Sequence, residues 1–490
     1  MAGIGVKLNK IYGKNTLTTN LVGMGYSTVI TIAPMVLVIA SIMVMQLMLE
    51  ISKTGYAQRE LFACTVLYIF IFSLLTASPF NSVLSRYMSD VIYEETYDDI
   101  LPCFYVGLVM NITVSCMAGI PFCVREYIVA GNVPLHFVFA GYCGYIGLVL
   151  VFYGMLYLSI CKDYKKISFF FLLGMALAVL MSYVFVALFH FEKTFAMLSA
   201  LDIGFLLIAS LEIAVIRSYF RENSGEYKRV LHYFRKYWKL VVTNFIYTLG
   251  LYIHNFVFWT TDLRMVVANT FVSVTSYDMA TYLAMFTSIT TSVIFISRVE
   301  MHFHERYKAY SEAVIGGREM DIELAKSRMF RQLAEELMNL VRIQFIVSVI
   351  LFFVCTLLLP RFGFGGMVLK IYPCLAAGYF ILFILYAAII FLYYFNDLNG
   401  ALLTAVVFCA ATGVSAVAAA NLSEIWYGAG VLAGAFLGWC VAYHRLGWLE
   451  AHLDEHVFCQ GSLLEPAYGK KPDTKVFDRR LLEKKKPVHE

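Results

Sequence analysis

The stretch ISFFFLLGMALAVLMSYVFVALFH, residues 167–190, holds no Asp, Glu, Lys or Arg and is long enough to cross a bilayer as a helix. Lys162, Lys165 and Lys166 stand immediately before it. The same unit recurs along the chain. Apolar runs fall near 26–49, 61–80, 102–124, 136–160, 167–190, 195–216, 237–259, 280–298, 341–360, 368–394, 400–420 and 425–443. Runs of this length without strict alternation predict helices rather than strands of a barrel.

The connections between the runs alternate between basic and charge-poor. One set collects Lys7, Lys10 and Lys14, then Arg86, then Lys162 to Lys166, the bases from Arg217 to Lys239, those from Arg298 to Arg342, Arg445 and the tail from Lys470 to Lys486. Of 38 Lys and Arg, only Lys53, Arg59, Arg125, Lys193, Arg264, Arg361 and Lys370 fall to the other set. Cytoplasmic connections retain Lys and Arg, so the basic set reads as cytoplasmic and both termini with it. The expected location is the cell (cytoplasmic) membrane, crossed many times.

The totals agree. Hydrophobic residues make up 60% and mean hydropathy is +0.72, against roughly 45–50% apolar in a soluble domain. The net charge of +4 fits connections that face anionic lipid. The cysteines lie mostly inside apolar runs and form no C-x-x-C pair, which argues against a zinc site or a disulfide framework. The opening Met1-Ala2-Gly3-Ile4-Gly5 does not read as a signal peptide.

The fold class expected is an all-α polytopic membrane protein of about twelve helices in two pseudo-symmetric six-helix halves around a central cavity. The divisions are an N-terminal half at 1–216, a basic cytoplasmic linker at 217–236, a C-terminal half at 237–445 and a basic tail at 446–490. Traces of duplication support them. Span two leaves the membrane as Ser85-Arg86 with Asp90 following, and span eight as Ser297-Arg298 with Glu300 following. Six spans per half would give both repeats the same orientation. Within the longest connection, about 318–340, the spacing of Ile322, Ala325, Met329, Leu333, Leu337 and Leu340 predicts an amphipathic helix. Lying in the membrane interface is its expected role, with docking of a cytoplasmic partner as the alternative.

No phosphate loop, H-E-x-x-H, G-x-S-x-G or Gly-rich dinucleotide motif is present, so no enzyme activity and no cofactor are expected. His452 and His456 are four apart and have the spacing to share a metal, yet they sit in a polar helix, and no metal site is expected. The informative residues are polar groups inside spans. Asp202 and Glu212 lie on span six, about 15 Å apart along a helix. An acid at that depth faces a cavity or a partner, or glues helices together. Span seven aligns Asn244, Thr248, Asn255 and Trp259 on one stripe, with Tyr247 and His254 on the next. Amides, hydroxyls and aromatic faces are what a sugar surface needs, and equally what helix–helix hydrogen bonding and interfacial anchoring use. Arg86, Asp90, Arg298 and Glu300 mark the emergence of corresponding helices, where they form either a gate or solvated helix ends.

Some of these residues also carry a family likeness. Met1-Ala2-Gly3-Ile4-Gly5, Arg86-Tyr87-Met88-Ser89-Asp90 with Tyr93, and Ile100-Leu101-Pro102 resemble the Pel exopolysaccharide export protein (PelG) family. So do His254-Asn255-Phe256-Val257-Phe258-Trp259, Thr261-Asp262, Tyr277-Asp278, Arg298-Val299-Glu300, Tyr307, Tyr310, Ile315-Gly316-Gly317 and Tyr393-Tyr394-Phe395-Asn396-Asp397. Span one has Ala33-Pro34-Met35 where that family tends to Gly-Pro-Trp. The resemblance implies membership of the multidrug/oligosaccharidyl-lipid/polysaccharide flippase superfamily. It implies a transporter that moves a Pel-like amino-sugar polymer across the cytoplasmic membrane by alternating or gated access. Its partners would be the polysaccharide, a cytoplasmic glycosyltransferase, other membrane components of the synthesis complex and the lipid bilayer, with no nucleic acid.

On that reading spans one, two, seven and eight line the cavity. Asn244, Tyr247, His254, Asn255 and Trp259 contact sugar, with Asp202 among the cavity candidates. Arg86, Asp90, Arg298 and Glu300 form the cytoplasmic vestibule, and Asp262, Arg264 and Asp278 lie on the exit side. The alternative is an ion-coupled antiporter of small cationic compounds or of a lipid-linked oligosaccharide, with Asp202 as the coupling carboxylate. A membrane-embedded transferase would need a constellation of His or carboxylates in a sizeable loop, and the outer connections are short.

Overall fold

Hydrocarbon offers a peptide group no hydrogen-bond partner, so a chain this apolar closes its backbone bonds within each segment. The computed structural model, which describes residues 17–93, 96–130, 133–161, 163–294, 300–362 and 365–458, does so with helices. They are α1 (Leu17–Met48), α2 (Tyr56–Tyr93), α3 (Ile100–Ala130), α4 (Leu135–Ile160), α5 (Tyr164–Ala187), α6 (Lys193–Tyr219), a short α7 (Tyr227–Lys236) and α8 (Trp238–Phe258). A hairpin of β1 (Met265–Val267) and β2 (Phe271–Ser273) follows. Then come α9 (Thr275–Ile294), α10 (Glu300–Gly316), α11 (Glu319–Leu358), α12 (Met367–Tyr394), α13 (Leu398–Ala419) and α14 (Ala429–Phe458).

Among the described residues, 10 helices are long and apolar enough to cross a membrane: α2 to α6, α8 and α11 to α14. The first expected span falls in α1, which contributes the apolar run Ala33–Met48. The eighth falls in α9 and continues past Ile294 into residues outside the described ones. Prolines sit inside α1, α2, α3 and α12, at Pro34, Pro79, Pro121 and Pro373. Membrane helices tolerate them because neighbouring groups take up the freed backbone bonds.

The packing repeats. In the first six spans α1 packs on α5, α2 on α4, and α3 on both α2 and α4. In the last six α8 packs on α13, α9 on α12, and α11 on both α9 and α12. The sets meet through α2 against α8 and α1 against α9, two contacts that exchange when one set is relabelled as the other. Glycines bring corresponding helices close. A Cβ on Gly174 of α5 would lie 2.8 Å from the Gly204 carbonyl oxygen of α6, and one on Gly430 of α14 would lie 2.8 Å from Ala416 Cα of α13. With no hydrophobic drive between helices in lipid, such small-residue approach supplies the van der Waals contact.

One element differs from expectation. The amphipathic stretch 318–340 is not a separate helix; α11 runs 40 residues from Glu319 into the ninth span. No glycine or proline interrupts it, so nothing stops the helix at the membrane edge. Its apolar stripe is spent on protein rather than lipid: Met329, Leu333 and Leu340 are buried, and Phe330 stacks on Phe395 with ring centroids 5.4 Å apart.

The chain divides into compact units Met1–Ala442 and Tyr443–Glu490. In the second, Trp448 stacks on His452 with centroids 4.9 Å apart and carries the Arg445 guanidinium 4.0 Å above its ring. The rest of the tail, from 459, lies outside the described residues.

Replacing Gly174 by Val is expected to lower stability by about 1–3 kcal/mol, the usual range for overpacking. Gly55→Val, where a Cβ meets nothing within 4 Å, is expected to leave it unchanged. The thermal loss of the monodisperse peak in detergent checks both.

Candidate functional site

The seam between α2 and α8 is one of the two places where the sets of six spans meet, and of the expected site residues Asn244, Trp259 and Arg86 make contacts across it. Its far end is held by the hairpin. β1 and β2 pair with Met265 opposite Ser273 and Val267 opposite Phe271, and the turn puts Ala268 and Asn269 at positive φ. Tyr68 of α2 serves as the next bonding edge of β2: its hydroxyl donates to the Val272 carbonyl at 2.8 Å and accepts from the Val272 N–H at 3.0 Å. The same ring stacks on Trp259, 5.1 Å between centroids and 12° between planes.

Behind the hairpin lies a polar knot. Asp278, at the start of α9, accepts from Asn255 Nδ2 at 2.7 Å, from Trp259 Nε1 at 3.1 Å and from the Val274 N–H at 3.0 Å. Asn255, Trp259 and Asp278 are thus brought together, and all three are buried. His254, fully buried on the adjoining stripe, shares a 2.8 Å hydrogen bond through Nδ1 with the Tyr277 hydroxyl. Asp262 and Arg264 are exposed on the connection before β1, away from this knot.

Midway along the seam Asn244 uses both ends of its amide. Nδ2 donates to the Ser78 carbonyl at 3.1 Å and to the Ser82 hydroxyl, and Oδ1 accepts from Tyr393 of α12 at 3.3 Å. Tyr247 packs against the rings of Tyr386 and Phe408, among the last six spans. At the near end Arg86 donates to Asn396 Oδ1 at 2.9 Å and lies 4.3 Å above the Tyr237 ring. Asp90 accepts from the Tyr233 hydroxyl at 2.5 Å. Burial and that carboxylate push the Tyr233 hydroxyl well above its ordinary pKa, so it remains a donor. Arg298 lies outside the described residues, and Glu300 opens α10.

Beside the seam is a cavity of about 440 Å³. It draws on spans two, three and four (α2, α3 and α4), with Phe245 of span seven (α8) and Phe271 of the hairpin, and among the described residues nothing from the expected spans one and eight lines it. The reason is local. The seam is filled by bonded polar groups and stacked rings, and the cavity opens beside it among α2, α3 and α4. Its wall is aromatic, including Tyr68, Phe72, Phe122 and Tyr142, with Glu126 as its carboxylate. Asp202 does not line it. That acid is buried on α6 against the α4 backbone at Gly144, its Oδ1 without a hydrogen-bond partner. Glu212 repeats the arrangement opposite Gly154, with neither oxygen bonded. Among the described residues no group of three or more His, Cys, Asp or Glu gathers to hold a metal.

Sequence reading missed Tyr68, Ser78, Ser82 and Glu126, and held Tyr393 only as part of the family likeness. The run Ser78-Pro79-Phe80-Asn81-Ser82 inside an apolar span was the available signal for two of them. Tyr68 is lost among 33 tyrosines.

The sequence profile of the PelG exopolysaccharide exporter (EPS-E) family matches residues 1–458. No curated protein matches the chain. Among solved structures, an outward-facing multidrug resistance MATE family transporter of the MOP superfamily aligns at TM-score 0.58 and 12% identity, covering 87% of this chain and 96% of its own. An inward-facing MATE family transporter aligns at 0.55 and 11%, covering 81% and 92%. The MATE transporter ClbM in complex with Rb+ aligns at 0.55 and 13%, covering 88% and 96%. Identities this low carry the fold, a polytopic α-helical membrane protein.

Removing the Asp278 carboxylate strands three buried donors, each costing about 1–3 kcal/mol. Asp278→Ala is therefore expected to loosen the hairpin and red-shift the Trp259 component of the emission, identified by difference from Trp259→Phe. Asp262→Ala, on the exposed connection, is expected to leave the emission unchanged.

Proposed function

Since the chain belongs to the PelG family of exopolysaccharide exporters and is a multi-pass membrane transporter, we propose that its polymer passes along the α2–α8 seam. The observation that supports this reading is the double use of Asn244. One amide bridges a serine pair on α2 and a tyrosine on α12, across the meeting of the two sets of spans. A sugar hydroxyl both donates and accepts, so it can replace either end as the seam parts. Tyr68 and Trp259 offer flat faces for the apolar side of a sugar ring. Asn244, Tyr247, His254, Asn255 and Trp259 are the proposed contact set.

Residues 1–216 and 237–445 are proposed as two repeats joined by the linker 217–236, with the tail following from 446. The repeated packing partners support this division. The basic connections and both termini are assigned to the cytoplasm, and the membrane to the cytoplasmic one, on the distribution of Lys and Arg. There Arg86 and Asp90, with Arg298 and Glu300, form the vestibule through which a cytoplasmic glycosyltransferase and further membrane components of a synthesis complex would deliver the chain. Asp262 and Arg264 lie on the exit side, with Asp278 behind them.

The second reading is an ion-coupled antiporter of small cationic compounds or of a lipid-linked oligosaccharide. The buried acids Asp202 and Glu212 favour it, because carboxylates without partners in a membrane helix are the groups an ion would neutralise.

Secretion of the exopolysaccharide by a strain lacking this chain, complemented in trans, separates the readings. For the polymer path, secretion is expected to be absent in the deletion strain and restored by the wild type and by Asp202→Asn. A variant with Arg86→Ala and Arg298→Ala is expected to insert normally and secrete at least tenfold less. Continued secretion in the deletion strain sinks the assignment. Loss with Asp202→Asn alone, at normal membrane abundance, moves it to the ion-coupled reading.

A further inference from the structure

The short helix α7 buries one side in the protein and leaves the other exposed. Val230 and Phe234 are buried, Phe234 meeting Phe80 edge-on at 6.1 Å. The acids nearest this side are already engaged. Asp99 accepts from Arg229 at 2.5 Å, and Asp90 accepts from Tyr233. The opposite side carries Lys228, Leu231, His232, Arg235 and Lys236, all exposed. They recur at spacings of three and four, so they share one face of the helix. Leu231 is 52% exposed, and so is Trp238, two residues beyond the helix end.

Two features fix what this face meets. First, α7 runs directly into a membrane-spanning helix. Tyr237, at φ −108° and ψ 30°, is the joint, and Trp238 is the first residue of α8. The exposed face therefore lies where a span enters the bilayer, the depth at which an indole is most at home. Second, the exposed charge is of one sign: Lys228, Arg235 and Lys236 make no ion pair among the described residues.

We propose that α7 is an interfacial helix that binds anionic lipid. Leu231 and the Trp238 ring enter the acyl boundary. Lys228, Arg235 and Lys236 extend their apolar stems over it and place their charges on lipid phosphates. The site requires no transported substrate and is independent of which way the chain faces. It also accounts for an asymmetry in the fold. The longer amphipathic stretch in α11 buries Met329, Leu333 and Leu340, whereas α7, which buries Val230 and Phe234, leaves Leu231 and the basic face around it exposed.

The test uses the full chain in nanodiscs. With phosphatidylcholine brominated on its acyl chains, the emission lost in Trp238→Phe is expected to be the strongly quenched part of the wild-type signal. If that component is untouched by the brominated lipid and quenched by acrylamide, the indole faces water and the proposal fails. A face reserved for a soluble partner gives that result. In mixed phosphatidylglycerol and phosphatidylcholine micelles, the wild type is expected to retain phosphatidylglycerol on the order of fivefold above its bulk share, as one basic residue at a surface can give. The triple variant K228Q/R235Q/K236Q is expected to lose that preference while keeping its elution profile. Equal retention by the wild type and the triple variant overturns the headgroup assignment.

Discussion

A polar group left unbonded in hydrocarbon costs several kcal/mol, and most of what is specific about this chain answers to that cost. The backbone meets it by becoming helical. Side chains meet it by finding each other along and beside the α2–α8 seam. Asn244 takes partners on α2 and α12, Tyr68 takes both the N–H and the carbonyl of Val272, and Asp278 gathers three donors. The seam is therefore held by exchangeable hydrogen bonds, while each set is held internally by close glycine contacts that cannot be exchanged. A transporter needs that division: rigid bodies that move, and a joint whose bonds can be handed to a substrate.

The spans were readable because bilayer thickness imposes a length on every apolar run, as at 167–190. The repeated packing of the two sets has a candidate counterpart in the sequence, Ser85-Arg86 and Ser297-Arg298, the second of which lies outside the described residues. Packing was not. The stripe Met329, Leu333 and Leu340 looks identical in sequence whether it covers lipid or protein; burial against neighbouring helices decided for protein. The stripe on α8 was correctly seen as polar, yet Asn255 and Trp259 turn to Asp278 rather than to open space. Period alone gives the face of a helix, not what stands opposite. Glu126 escaped notice because it sits near a span end beside Arg125, where an acid looks solvated.

The cavity and the seam divide the chemistry between them. The cavity wall is aromatic and would leave most sugar hydroxyls without partners, whereas the seam has amides and hydroxyls in place but already bonded to one another. A polymer path through the seam therefore needs the seam to part, and the cavity beside it is room into which Phe245 and Phe271 can withdraw.

The uninterrupted α11 has a mechanical meaning. At 40 residues it is about 60 Å long, roughly twice the hydrocarbon thickness. A rod of that length pivoting where it enters the bilayer acts as a lever with comparable arms inside and outside the membrane. A tilt of about 10° at the pivot swings each end by roughly 5 Å. Force applied to the Glu319 end, where the helix is charged and exposed, would thus arrive at the Leu358 end on the opposite side, with no hinge between to absorb it.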